Sequence, residues 1–270
     1  MENPTLRCLC EGKHLEPRFE YHTPPPGETR FPYEASYYYR RYDRCKLCSH
    51  YFAVNQMRMA DFYHGGYSLA TYGATLAETF QRIIALPPER SDNHGRVRYI
   101  SDFISNYFNR TKPVSLLDVG SGLGVFPYAA KQQGWGCTSI EPDPVAARHI
   151  REVVGINVVS ADFFAARDLG RFDLITFNKV LEHVSDPVEM LLKAKGFLVP
   201  EGFIYLEVPD GESAALEGPN REEFFIEHLH VFSLSSVCHL AASAGFSVLQ
   251  LERLQEPSGK FTIRSVLTIR

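Results

Sequence analysis

Leu116-Leu117-Asp118-Val119-Gly120-Ser121-Gly122-Leu123-Gly124-Val125-Phe126 is the stretch on which the reading of this 270-residue chain turns. Residues 114–119 form an apolar run of strand length, the pattern of a parallel strand buried on both faces. A glycine-rich turn follows, and a helix pattern runs over 126–133. Glycines in such a turn let the backbone pass close to a ligand, where a side chain would block it. Their spacing narrows the ligand class. Gly120, Gly122 and Gly124 give G-x-G-x-G, whereas a dinucleotide fingerprint needs its third glycine at 125, where Val125 stands.

Downstream, strands and helices alternate. Strands are expected over 136–140, 156–160, 172–177 and 203–208, with helices over 144–154, 186–198 and 233–244. Two further strands, 246–254 and 262–269, close the chain as an antiparallel pair. This alternation predicts an α/β doubly wound sheet of seven strands, with ligands at the carboxyl ends of the parallel strands. Polar residues fall at that edge. Asp118 and Ser121 belong to the first turn; Glu141 and Pro142 end the second strand, 21 positions after Gly120. An acidic residue there accepts ribose hydroxyls. Asp162 ends the third strand and is read as the acceptor of an adenine amino group, with Phe163 packing on the ring. Asn178 ends the fourth strand.

The first 60 residues differ in character. Cys8-Leu9-Cys10 and Cys45-Lys46-Leu47-Cys48 are close pairs, which in a reducing compartment suggest tetrahedral zinc rather than disulfides. The C-x-C spacing of the first pair leaves open that His14 or His50 replaces one thiolate. Between the pairs the chain is rich in Pro and Tyr, with little periodicity, so a metal would supply stability that packing does not. Residues 37–46 interleave Tyr with Arg40, Arg41, Arg44 and Lys46. They read as a solvated face, with a grip on RNA or a diphosphate as the alternative. Helical spacing over 68–86 and 96–108 marks a connector. Residues 63–67 read as linker or lid. The expected organisation is a zinc-binding module over 1–60, a helical connector or lid over 61–112 and a catalytic domain over 113–270.

The 114–209 segment resembles the Rossmann-like core of class I S-adenosylmethionine (SAM) methyltransferases. The resemblance rests on Asp118-Val119-Gly120-Ser121-Gly122 and on Val180-Leu181-Glu182-His183-Val184-Ser185-Asp186-Pro187. More narrowly, the chain is similar to the sugar C-methyltransferases, which begin with a cysteine-rich zinc module. They also carry a Tyr-x-Glu-His element whose His is a proposed general base. Here that element reads Phe225-Ile226-Glu227-His228-Leu229-His230, with Phe replacing Tyr. The resemblance implies SAM and structural zinc as cofactors and a small-molecule acceptor, most simply a sugar or nucleotide-sugar. It points to His228 as the base, relayed through His230 and oriented by Glu227. A histidine near neutrality suits proton removal. Glu182-His183, among apolar neighbours, reads as structural.

Charge separates the competing classes. The formal net charge is −4; residues 1–112 carry 15 Lys/Arg against 12 Asp/Glu, and the remainder 13 against 20. An RNA methyltransferase using the zinc module, and a non-catalytic SAM-binding module, stand as alternatives. The lack of an extended basic face weighs against nucleic acid. No run reaches the ~18 apolar residues of a membrane span, and the N-terminal residues show no signal-peptide pattern, so a cytoplasmic protein is expected.

Overall fold

The structure, a computed structural model, describes residues 13–28, 38–55, 76–107 and 113–270. Cys8, Cys10, Tyr37 and residues 63–67 lie outside the described residues. In chain order the elements are β1 (Leu15–Tyr21), β2 (Arg40–Cys45), β3 (Tyr51–Asn55), α1 (Leu76–Ile84), α2 (Asp92–Tyr107), β4 (Ser115–Val119), α3 (Val125–Gln132), β5 (Gly136–Glu141), α4 (Pro144–His149), β6 (Asn157–Ser160) and β7 (Phe172–Asn178). Then come α5 (Pro187–Lys195), β8 (Leu198–Pro209), α6 (Gly211–Glu217), β9 (His230–Val231), α7 (Leu234–Ser243), β10 (Phe246–Gln255) and β11 (Phe261–Ile269).

Seven strands form one sheet in the order β10-β11-β8-β7-β4-β5-β6. β4 lies between β5 and β7 and runs parallel to both; β6 and β8 extend the parallel set on either side. β11 is antiparallel to β8 and to β10, as the closing pair of the sequence predicts. Successive residues of a strand point to opposite faces. Leu116 therefore joins a core with Ile100 and Phe103 of α2 and Phe126 of α3. Leu117 joins a core with Leu191 of α5 and Leu240 of α7. Helices on both faces explain why β4 carries no polar–apolar alternation.

A second sheet, β1-β2-β3-β9, is antiparallel. Its last strand comes from the other end of the chain: Tyr51 pairs with Val231 and Phe52 with His230. The core beneath it combines Tyr21, Tyr42 and Tyr51 with Ala214, Phe224 and Ile226. Over its described residues, 38–46, the stretch is thus only in part the solvated face expected of it: Lys46 is exposed, but Arg40 and Tyr42 are buried. Strand alternation turns Arg40 and Tyr42 inward. Arg40 is 1% exposed, ion-pairs with Glu28 and lies 3.8 Å from the Tyr21 ring centroid. Arg41 pairs with Asp43 at 2.6 Å. Among the described residues no helix is long and apolar enough to cross a membrane.

Gly211 sits where the two sheets meet. A Cβ there would stand 2.7 Å from Tyr51 Cδ2 and 3.1 Å from Val231 Cγ1. Both neighbours are buried, so neither has room to move. Gly211→Ala is expected to destabilise the chain by about 1–3 kcal/mol, as overpacking does. The check is the urea midpoint, which should fall; an unchanged midpoint would contradict this packing of the sheets.

Candidate active site at the carboxyl edge of the sheet

β4 ends in Asp118, and the turn after it has positive φ at Gly120 (69°), Gly122 (52°) and Gly124 (71°), a conformation costly for other residues. The turn is also tightly overlaid. A Cβ on Gly120 would meet Val180 Cγ2 at 2.8 Å, and one on Gly124 would meet Val154 at 3.1 Å. The contact with Val180 sets the segment after β7 directly against the glycine turn.

The polar strand ends hold this edge in place. Asp118 Oδ1 accepts from Thr176 Oγ1 at 2.6 Å and from Asn178 Nδ2 at 2.9 Å, bolting β4 to β7. Ser121 Oγ donates to the Asp118 carbonyl at 3.0 Å. Burial raises the Asp118 pKa. The Glu141 carboxylate accepts from Gly122 N–H at 2.8 Å and from Asp143 N–H at 3.0 Å, so β5 is tied to the same turn. Burial pushes the Glu141 carboxyl up to about 7. Pro142 is exposed beside it, and Asp143 caps α4 through Val145 N–H at 2.8 Å. Asn178 Oδ1 is buried without a hydrogen-bond partner among the described residues, an acceptor open to a ligand. Asp162 is exposed and closes a turn by accepting from Phe164 N–H at 2.6 Å. Phe163 is not at the edge: its ring packs in the core against Phe177 and Phe197, because the turn after β6 points it inward.

The histidines are arranged differently from the sequence reading. His228 Nδ1 donates to the Glu223 carbonyl at 2.8 Å, and its ring centroid lies 4.9 Å from that of His183. His183 Nδ1 donates to the Glu227 carbonyl at 3.0 Å. In both rings Nδ1 carries the proton, so Nε2 carries the lone pair. Burial pushes the His183 pKa down to about 4 and that of His228 well below its usual value, so both are neutral at pH 7. His230 is no relay from His228. It lies in β9, fully buried, with Nδ1 3.3 Å from His50 Nε2; His50 Nδ1 in turn lies 3.0 Å from Ser236 Oγ. Burial takes the His230 pKa down to about 3. Glu227 meets His183 through its backbone, and its buried Oε2 has no hydrogen-bond partner among the described residues.

Sequence reasoning missed His183, whose ring faces His228 across 45 positions of chain. The Glu182-His183 dipeptide was its one signal. It also missed Lys179, which has φ 59° and donates to Thr262 Oγ1, and the ion pair of Arg96 on α2 with Glu207 at the end of β8.

Comparison with known proteins shows the family and the fold. The family described as "Methyltransferase domain" matches residues 92–251. A "Ubiquinone biosynthesis O-methyltransferase" of Actinobacillus pleuropneumoniae is 30% identical over 115 residues, covering 38% of this chain and 49% of the relative. One of the same name from Pseudoalteromonas translucida is 36% identical over 98 residues, covering 33% and 41%. The chain thus spans about half the length of the curated relatives it matches. Among solved structures, magnesium protoporphyrin IX methyltransferase from Synechocystis with bound S-adenosylhomocysteine (SAH) aligns with TM-score 0.56 and 12% identity, over 74% of this chain and 96% of the other. The plantazolicin methyltransferase BpumL, in complex with a desmethyl analogue and SAH, aligns with TM-score 0.56 and 13% identity, over 76% and 94%. At these identities the likeness is one of fold.

Glu141 gives the site a pH dependence. Its folded pKa, about 7, lies above the free value of 4.5, so the neutral form is favoured in the empty protein. That contribution to stability is full below the free value and lost as pH rises through about 7. A ribose seated at Glu141, the role proposed for it from the sequence, would donate its hydroxyls to the ionised form. SAH affinity is therefore expected to rise by up to about tenfold per pH unit as pH approaches 7, then level off. Calorimetry from pH 6 to 8 on the parent and Glu141→Gln proteins checks this; the same rise in both would contradict the role of Glu141.

Proposed function

The chain belongs to the methyltransferase-domain family, and on that premise we propose that it moves a methyl group from SAM to a hydroxyl-bearing small molecule, with sugars and nucleotide-sugars the first class to test. The observation that carries this reading is the convergence at one sheet edge of the glycine turn, the Glu141 carboxylate, the open Asn178 Oδ1 and the facing His183 and His228 rings. SAM, when bound, supplies a methyl group already activated on a sulfonium sulfur. The protein's work is then to align the acceptor and take its proton. Glu141 receives the ribose hydroxyls, Asp162 the adenine amino group, and the turn from Gly120 to Gly124 the aminoacyl part. The acceptor proton goes to the Nε2 lone pair of His228, whose ring is held from behind by the Glu223 carbonyl.

A second acceptor class, a phenolic or catechol hydroxyl, is favoured by the ubiquinone biosynthesis O-methyltransferases among the relatives. RNA has less support than the sequence gave it, since Arg40 is buried and Arg41 is paired within β2. We also propose that residues 1–60 form a module around one zinc ion held by Cys8, Cys10, Cys45 and Cys48, followed by a connector and the catalytic domain. Cys45 and Cys48 support this: they are 0% and 3% exposed and pack with Phe52 at the turn between β2 and β3. Zinc on thiolates fits a reducing cytoplasm.

Two measurements bear on these proposals. Transfer of labelled methyl to panels of nucleotide-sugars, catechols and bulk RNA identifies the acceptor. With that acceptor, His228→Ala should slow turnover by about 10²–10⁴-fold and leave SAH affinity unchanged; near-normal turnover would remove His228 from the chemistry. Metal analysis of purified protein should find about one zinc per chain. A native disulfide involving Cys45 or Cys48, without metal, would refute the zinc module.

A further inference from the structure

Glu182, His183 and His228 come together from two segments of chain. One ligand atom from each, a carboxylate oxygen and a nitrogen of each ring, lies within 4.8 Å of the other two. Both rings are oriented from behind by backbone carbonyls, Glu227 for His183 and Glu223 for His228. A carbonyl on the far nitrogen is how metal-ligating histidines fix their tautomer and raise their basicity. The carboxylate is the unexplained member. Glu182 is 1% exposed, and neither of its oxygens has a hydrogen-bond partner among the described residues. Burying such a group is costly unless something compensates it. Lys179, three residues earlier, attracts the carboxylate by its charge but gives its hydrogen bond to Thr262.

We infer that Glu182, His183 and His228 form a binding site for one divalent first-row cation, which in turn takes the acceptor's hydroxyl oxygen. One carboxylate and two imidazoles suit Mn²⁺, Fe²⁺, Co²⁺ or Zn²⁺; Mg²⁺ prefers an all-oxygen shell. Three protein ligands leave further coordination positions open, which is the mark of a working rather than a structural centre. A vicinal diol or catechol fills two of them. Coordination weakens the acceptor O–H bond: the proton leaves to solvent, and the oxygen keeps the electron pair. In the metal-loaded protein this replaces proton transfer to His228. The role of the cation rests on the methyltransferase reading; its binding does not.

Mn²⁺ is the probe, because a thiolate-rich N-terminal site prefers softer ions and because the aqueous Mn²⁺ spin-resonance signal is lost on binding. The full chain is analysed for metal already present, then titrated with MnCl₂, with SAH affinity measured in parallel. One Mn²⁺ per chain is expected beyond the metal already held. Glu182→Gln, His183→Gln and His228→Asn should each weaken Mn²⁺ binding at least about tenfold. A variant that keeps wild-type SAH affinity is folded at the site, and its Mn²⁺ affinity decides. Absence of Mn²⁺ binding to the parent protein up to about 1 mM overturns the site, as does undiminished binding in the variants. If the parent protein still binds SAH in that case, the methyltransferase reading stands; if it fails to bind SAH, that reading falls whatever Mn²⁺ does.

Discussion

Two hydrogen bonds hold the site together. Leu229 N–H donates to the Glu182 carbonyl at 2.7 Å, and His183 Nδ1 donates to the Glu227 carbonyl at 3.0 Å. They clamp the turn after β7 to the loop before β9, and so fix the two rings against each other. The clamp would be weak alone, since a single hydrogen bond nets only about 1 kcal/mol. The N-terminal sheet supports the loop from the other side. Arg40 Nη1 donates to the Phe224 carbonyl at 2.7 Å, Ile226 N–H to Glu28 at 2.9 Å, and Tyr42 Oη to the His228 carbonyl at 2.6 Å. Strand β9 then completes that sheet. Residues of the described N-terminal strands, with Glu28, therefore hold this loop in position.

The same arrangement explains why so much charge is buried. Arg40 pairs with Glu28, each 1% exposed, and Arg96, 12% exposed, pairs with Glu207, 1% exposed. Removing one partner of such a pair leaves an uncompensated charge and costs about 3–5 kcal/mol. Arg96 and Glu207 lie 111 positions apart, so their pair specifies which surfaces meet; Arg40 and Glu28 lie 12 apart and tie β2 to the segment after β1. At the carboxyl edge the logic differs. Glu141 sits in a cradle of amide donors while burial pushes its carboxyl up to about 7, and Asn178, two strands away on the same edge, keeps an acceptor without a partner among the described residues. Unmet polar capacity of that kind is costly in a core and useful where a ligand will supply the partner.

The doubly wound sheet was legible because its signals are local. Strand length, glycine spacing and the alternation of apolar runs survive without knowledge of what packs where. The position of Glu141 at the end of β5 was legible for the same reason, a fixed distance from Gly120. The histidines were not. The relay from His228 to His230 needs both rings on one side of the chain, but only His230 lies in a strand, and β3 takes it into the core beside His50. The partner of His228 is set by backbone hydrogen bonds between distant segments, which no local pattern encodes. Arg40 and Phe163 were misread for a related reason. A strand or turn of uncertain register gives no sign of which side chain faces in.

A crystal structure with SAH bound would test the central claim most directly. The account predicts the ribose hydroxyls within about 3 Å of the Glu141 carboxylate, and the sulfur opening toward the His183 and His228 rings. A cofactor bound away from Glu141, or with its sulfur turned from that histidine pair, would contradict it.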